Sequence, residues 1–194
     1  MRRFGGSRGN EQLTAIVAAL LVPLLLAEAA TLLNVRSLLT VHAFIGMLLV
    51  PVVAVKLASA GWRMVRYYAG SEEYVRRGPP QLAIRLVVAP VLVASTIVLF
   101  GTGVALLALG QTQGSLVGLH KASFVVWVGA FGLHFLTRVG LLWRALRPRV
   151  PGISMRLAAA TLSIVAGVAL ATLTLPSMDH LQDGVSGHVG FDER

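Results

Sequence analysis

Five long apolar segments dominate the sequence and limit what it can fold into. They cover residues 13–33, 38–60, 86–109, 116–142 and 157–175. Each is long enough to cross about 30 Å of hydrocarbon as a helix, which takes roughly 20 residues. None shows the alternation of apolar and polar residues that a membrane β-barrel strand needs. We therefore predict an all-α integral membrane protein with five transmembrane helices.

The composition excludes a water-soluble globule. Hydrophobic residues make up 56% of the chain and charged residues only 13%, whereas a soluble domain has about 25% charged residues. The chain contains no cysteine, which excludes disulfides, Cys-ligated zinc, iron–sulfur clusters and thioether-attached haem. Any cofactor must therefore be held through His, Met, acidic side chains or the backbone.

The net charge of +9 reports membrane topology, because most basic residues fall on one side of the predicted spans. Those on that side are Arg2, Arg3, Arg8, Arg63, Arg66, Arg76, Arg77, Arg85, Arg138, Arg144, Arg147, Arg149 and Arg156. The other side has Arg36, Lys121 and Arg194. Since basic residues gather in cytoplasmic loops, we predict a multi-pass protein of the cytoplasmic (inner) membrane with its N-terminus in the cytoplasm. No nucleic-acid partner is expected.

The two ends of the chain carry their own predictions. Residues 1–29 are similar to a signal peptide with Ala27-Glu28-Ala29 as a cleavage site, and cleavage would leave four helices in the same orientation. Apolar character continues to Leu33, which favours a retained helix within a single membrane domain over 1–194. The polar tail 176–194 is expected to be external and flexible. Its His180 and His188 are interpreted as solvated residues rather than metal ligands.

Two histidines lie at matching depth in the second and fourth spans, which run in the same direction. His42 follows Ser37 by five residues, and His120 follows Ser115 by five. Both therefore sit about 7–8 Å below the ends of their helices. Ionisable residues inside a membrane are functional candidates by default. Two imidazoles at equal depth predict the axial metal ligands of one haem b.

Neighbouring residues suit such a cofactor. Gly46 is one turn from His42, and Gly118 is close to His120, so a planar macrocycle could approach both helices. Polar partners for haem propionates lie near the same membrane surface: Lys121, Arg36, Gln111 and Gln113. The alternative interpretation is that each membrane histidine hydrogen-bonds a neighbouring helix.

A second site is incomplete. His134 lies 14 residues after His120, which places it about 21 Å deeper and close to the same helix face. The matching position on the second span is Lys56 rather than His. Lys56 would donate to a propionate, cap a quinone oxygen or extend to the membrane interface. A second haem is therefore doubtful.

Two further features of the spans have open interpretations. Glu28 shares the depth of the two histidines, and we expect either a proton acceptor for a quinol or an ion pair with Lys121, with some preference for the ion pair. The Gly101-Thr102-Gly103 step in span three is interpreted as helix packing rather than cofactor contact.

The segments VHAFIGMLLVPVVAVKLASAGWRMVRYYAG, RRGPP and GLHKASFVVWVGAFGLHF resemble small bacterial b-type cytochrome membrane proteins, some of them associated with molybdopterin-dependent oxidoreductases. The resemblance covers about half the chain, from His42 to His134. It implies electron transfer between the quinone pool and an external redox partner, with His42 and His120 as axial ligands and His134 in a possible second site. Because the chain has no molybdopterin domain, that chemistry would reside in another polypeptide.

Together these observations predict a four-helix haem-binding bundle plus one peripheral helix. The chain would be a non-catalytic electron-transfer subunit of an oxidoreductase rather than a complete enzyme. A non-haem structural or assembly protein of a larger complex is the alternative. A small-solute transporter that uses Glu28 and Lys56 as a coupled pair is disfavoured, because the sequence has no inverted repeat.

Overall fold

The computed structural model describes residues 6–76, 84–146 and 150–189. Throughout these ranges the regular structure is helical and contains no strand. The helices are α1 (Gly6–Thr31), α2 (Leu39–Tyr68), α3 (Glu72–Val75), α4 (Ala89–Leu109), α5 (Ser115–Leu146), α6 (Ile153–Leu173) and α7 (Leu175–Val189). A short 3-10 turn (Leu32–Asn34) follows α1, and a π-helical turn (Ile84–Val88) leads into α4.

The prediction of five helices able to cross a membrane is confirmed. Segments long and apolar enough are Gly6–Asn34, Leu39–Tyr68, Leu86–Leu109, Ser115–Gly140 and Ile153–Leu173. These indicate a multi-pass membrane protein whose helices can contact a lipid bilayer. Helices α1 and α2 extend beyond the predicted apolar segments, because hydropathy marks only the part in hydrocarbon whereas backbone hydrogen bonding continues into the polar region.

The five long helices form two packed groups. In the first, α1, α2 and α6 pack against one another; in the second, α4 packs along α5. The first group has a core of Val17, Leu21, Leu49, Val52 and Ala160. Helix α1 also contacts α5, and α2 contacts α4, which joins the groups while leaving a space between α2 and α5.

A glycine allows the closest helix approach in the first group. A Cβ atom added to Gly167 of α6 would collide with the backbone carbonyl of Leu48 in α2. The backbones of α6 and α2 therefore touch at this point, as small residues permit in membrane proteins. This contact holds α6 closely against α2.

The tail differs from the sequence-based expectation of a flexible segment. Residues Leu175–Val189 form α7, with Met178 and Leu181 buried against Met47, Leu107 and Ala171. The Gln182 side chain accepts hydrogen bonds from the backbone N–H groups of Leu39 and Thr40 at 3.1 and 3.4 Å. The amphipathic spacing of the apolar residues explains this packing. Helix α7 thus caps the first turn of α2.

The two ends of the bundle differ in their residues. At one end α1 and α4 finish while α2 and α5 begin; we call it the His42 end, and α7 lies there. The other, where α2 and α5 finish, is called the Lys56 end.

Several basic residues used to predict topology lie outside the described residues, as does the adjoining segment 78–80: Arg2, Arg3, Arg77, Arg147, Arg149 and Arg194. The same is true of the side chains of Arg85, Arg144 and His188.

Candidate cofactor site

The structure brings the two depth-matched histidines together. The ring centres of His42 in α2 and His120 in α5 are 6.4 Å apart, and their ring planes are inclined at 86°. Helices α2 and α5 are not packed closely against each other. The two side chains meet in the space between the two groups of helices. Counting residues from the helix ends anticipated this proximity, although it gave no information on which way the rings point.

The imidazole of His42 is anchored to α1 through Nδ1. That nitrogen lies 3.0 Å from Glu28 Oε1 and 3.0 Å from Thr31 Oγ1. The Thr31 hydroxyl donates its own proton to the Glu28 backbone carbonyl at 2.6 Å. Its oxygen must therefore accept from His42, so Nδ1 carries the proton. Glu28 pairs with His42, and the expected ion pair with Lys121 is not what the structure contains.

The imidazole of His120 is anchored to α4 in the same manner. Its Nδ1 lies 3.0 Å from Thr102 Oγ1. The Thr102 hydroxyl donates to the carbonyls of Val98 and Leu99 at 2.7 and 3.0 Å. Because its only proton is donated to these carbonyls, the hydroxyl oxygen accepts a hydrogen bond from Nδ1–H of His120. Thr102 therefore links α4 to the imidazole of His120 in α5.

Both histidines are consequently held in one tautomer. A neutral imidazole has one donor and one acceptor nitrogen, so protonated Nδ1 atoms leave both Nε2 atoms as lone-pair donors. The hydrogen bonds that anchor the two imidazoles to threonine hydroxyls both use Nδ1 rather than Nε2. An imidazole that binds a metal commonly donates its other N–H to a carboxylate, a carbonyl or water, which fixes its tautomer and orientation. Each imidazole therefore keeps one nitrogen, Nε2, that does not take part in anchoring it to its neighbouring threonine.

A large cavity surrounds the two rings. Its volume is about 1540 Å³, above the range of about 300–1,000 Å³ of most small-molecule sites. Four of the long helices line it, namely α1, α2, α4 and α5, whereas α6 contributes none of the lining residues that the structure describes. Helix α6 packs against α2 and α1 instead.

The mouth of the cavity lies at the His42 end and is polar. Arg36, Lys121, Gln111 and Gln113 all line it, as do Leu181 and Val185 of α7. Glycines reduce the steric bulk around the rings: Gly46 lines the wall near Glu28, and a Cβ at Gly103 would lie 3.3 Å from His120 Cε1. Gly118 is not among the lining residues.

The deeper part of the cavity is apolar and aromatic. Trp127 and Phe131 stack with ring centres 4.7 Å apart, and Phe131 and Phe135 follow at 5.8 Å. Trp127 donates its indole N–H to Thr96 Oγ1 at 3.0 Å. These rings continue from His120 along one face of α5 for about 22 Å, at 1.5 Å per residue. An apolar, planar ligand suits this lining.

The second predicted site does not share this cavity. Lys56 Nζ donates to the backbone carbonyl of Thr14 at 2.7 Å, and His134 lies near Lys56 and Arg138. Neither Lys56 nor His134 is a lining residue. Glu28 and Lys56 are at opposite ends of the bundle, so they do not form the pair that a coupled transporter would use.

Sequence reasoning did not identify the threonines that orient the imidazoles. The sequence pattern that could have indicated a role for Thr31 was its position three residues after Glu28, on the same helix face. Thr102 had a weaker signal, a hydroxyl between two glycines. Threonine is common in membrane helices, and these spans are apolar on all sides, so their rotation could not be deduced.

Within the described residues, no group of three or more His, Asp or Glu side chains is placed to hold a metal ion by itself. Comparison of the chain with protein-family models, curated proteins and solved structures found no match.

Proposed function

We propose that this protein is a membrane electron-transfer subunit that binds one haem b through His42 and His120. Such a haem would supply a one-electron carrier within the membrane. The protein's own contribution is to hold two imidazoles in a fixed tautomer inside an apolar cavity. The chain would act within an oxidoreductase rather than as a complete enzyme.

One observation carries this proposal: His42 and His120 line one cavity, and each is anchored to a neighbouring helix through Nδ1. A purely structural histidine needs one hydrogen bond to its neighbour, and Nδ1 supplies it in both residues. Nε2 of each residue would then hold the metal of a bound group, and the ring centres of the two residues lie 6.4 Å apart.

The size and lining of the cavity favour a macrocycle over a bare ion. A metal ion bound by protein alone usually takes about four ligands, whereas two imidazoles supply only two. A porphyrin provides the remaining ligands and suits axial histidines. Its apolar faces would be buried by the lining of α2 and α5. Arg36 and Lys121 at the mouth supply positive charge for its propionates.

We further propose that the Lys56 end faces the cytoplasm and the His42 end faces outward, in the cytoplasmic membrane. The described basic residues at the Lys56 end support this orientation through the positive-inside rule: Arg8, Arg63, Arg66, Arg76, Arg138 and Arg156. The external redox partner would then approach α7 and the polar mouth. The quinone pool of the bilayer is the proposed second partner.

A second haem is not part of the proposal. The side chain of Lys56 is engaged with Thr14 rather than directed into the cavity. His134 would then be a single ligand without a partner across the bundle. The stoichiometry we expect is one haem per chain.

The test is the haem content of purified protein and three variants. Wild-type protein expressed with adequate haem should contain one haem b per chain. His42→Ala and His120→Ala should each remove an axial ligand and abolish stable binding. His134→Ala is the matched control, because it removes a membrane histidine from the same helix as His120 but outside the cavity. It should retain the haem.

A colourless wild-type protein would overturn the proposal. Together with folded His42→Ala and His120→Ala variants, that result would favour a non-haem structural or assembly role. Equal loss of haem in His134→Ala would instead show that the loss is not specific to His42 and His120, and it would contradict the assignment of these two residues as the ligands.

A further inference from the structure

Four basic side chains lie together at the Lys56 end, away from the cavity. Lys56 and Arg63 are seven residues apart on α2, and His134 and Arg138 are four apart on α5, so each pair shares a helix face. Across the space between the helices, His134 lies near Lys56, and Arg138 lies near Arg63. We call these four residues the basic cluster.

The basic cluster lacks nearby acidic residues on its own helices. Neither α2 nor α5 contains an Asp or Glu. Lys56 Nζ donates to the Thr14 carbonyl of α1, while Thr14 Oγ1 contacts Ser59 Oγ at 2.9 Å. This network satisfies one of the three N–H groups of Lys56 and supplies no negative charge. Like charges on α2 and α5 are thus held close to each other.

Two nitrogen atoms of the basic cluster are buried without a hydrogen bond. Among the residues that the structure describes, His134 Nδ1 and Arg138 Nε have no partner. A buried donor left unpaired costs about 1–3 kcal/mol, and more when it is charged. An anion placed between α2 and α5 would accept from Arg138 and reduce the repulsion within the cluster.

The depth of the basic cluster matches the headgroup region of a bilayer. Lys56 and His134 lie about 26 and 28 Å from the starts of their helices, and Arg63 and Arg138 about 36 and 34 Å. The hydrocarbon layer is about 30 Å thick, and the headgroups extend beyond it. The cluster therefore straddles the level at which lipid phosphates lie.

We propose that the basic cluster binds the phosphate of an anionic phospholipid between α2 and α5, beside α1. Basic pockets between membrane helices are known to hold anionic headgroups. Arg63 and Arg138 would contact the phosphate, while Lys56 and His134 would lie just below it. This site is independent of the haem proposal, since it shares no residue with the cavity.

The test measures lipid binding by the full chain. Native mass spectrometry and thermal unfolding follow the protein as phosphatidylglycerol replaces phosphatidylcholine in nanodiscs. Wild type should retain phosphatidylglycerol and unfold at a higher temperature as its fraction rises. The double variant Arg63→Gln/Arg138→Gln should bind it about 25-fold more weakly, at about fivefold for each basic residue removed.

The matched control is Arg8→Gln/Arg76→Gln, which removes two exposed charges at the same end. It should bind phosphatidylglycerol like wild type. Equal weakening in the two double variants would overturn the site and indicate general attraction to an anionic surface. If the cluster variant does not fold, the wild-type comparison decides, because equal stabilisation by the two lipids contradicts the proposal. Stabilisation by inorganic phosphate alone would contradict a lipid as the source of the anion.

Discussion

Replacing Thr102 by Val tests how the histidines are oriented. Valine has nearly the same shape as threonine but lacks the hydroxyl that accepts the Nδ1–H of His120 at 3.0 Å. The carbonyls of Val98 and Leu99 lose the hydrogen bond from the threonine hydroxyl but keep their helical backbone hydrogen bonds. The substitution therefore isolates the contact with the imidazole. Without it, His120 is free to move its proton to Nε2, and in that tautomer Nε2 has no lone pair for a metal.

The expected effect follows from this contact. An unpaired, partly buried N–H costs about 1–3 kcal/mol, and 1.4 kcal/mol corresponds to about a factor of ten in affinity. Removing a residue that orients a metal ligand typically weakens metal binding by about 10–100-fold. We expect Thr102→Val to weaken haem binding within that same range. Titration of haem into the apoprotein in detergent, followed at the Soret band, measures this directly.

Thr172→Val is the matched control for Thr102→Val. The Thr172 hydroxyl also donates to a carbonyl four residues earlier in its own helix, at 2.8 Å, but it is exposed on α6, outside the cavity. Its loss should leave haem binding unchanged. Wild-type affinity in Thr102→Val, or an equal decrease in both variants, would refute the role assigned to the hydroxyl.

Three further substitutions test other contacts. Gly103→Ala should weaken haem binding by pressing on His120, whereas Gly101→Ala, which meets nothing within 4 Å, should leave the same titration unchanged; equal affinities would contradict the predicted contact. Gly167→Ala should lower the free energy of unfolding in detergent by about 1–3 kcal/mol through overpacking against Leu48, whereas Gly129→Ala should leave it unchanged. An unchanged free energy of unfolding in Gly167→Ala would show that α6 and α2 do not touch there. Met178→Ala should weaken α7 docking by about 2–5 kcal/mol, seen as faster hydrogen exchange over 175–189 than in Asp179→Ala; equal exchange rates would refute the buried position of Met178.

The apolar segments were sufficient to predict five helices, because a span must satisfy its backbone internally and be apolar over its length. The depth of a residue in the membrane was also predictable, because the rise per residue of a helix is constant. On this basis His42 and His120 were expected at the same level. Rotation was not predictable from spans that are apolar on all sides. The pairing of Glu28 with His42 rather than Lys121 depends on that rotation.

Helix α7 could have been predicted from a different pattern. Its polar composition suggested a flexible tail, yet Leu175, Met178, Leu181 and Val185 recur at helical spacing. This pattern is typical of an amphipathic helix, and its apolar face finds a partner in α2. Gln182 gave no signal in the sequence, because its role as a cap arises only after α7 has packed at the start of α2.

The absorption spectrum of purified wild-type protein, oxidised and then reduced, tests the central claim most directly. Two axial imidazoles should give a six-coordinate, low-spin haem b, with one haem per chain. A protein supplied with haem that remains colourless would contradict the claim. So would a five-coordinate, high-spin spectrum, because it would mean that His42 and His120 do not both bind the iron.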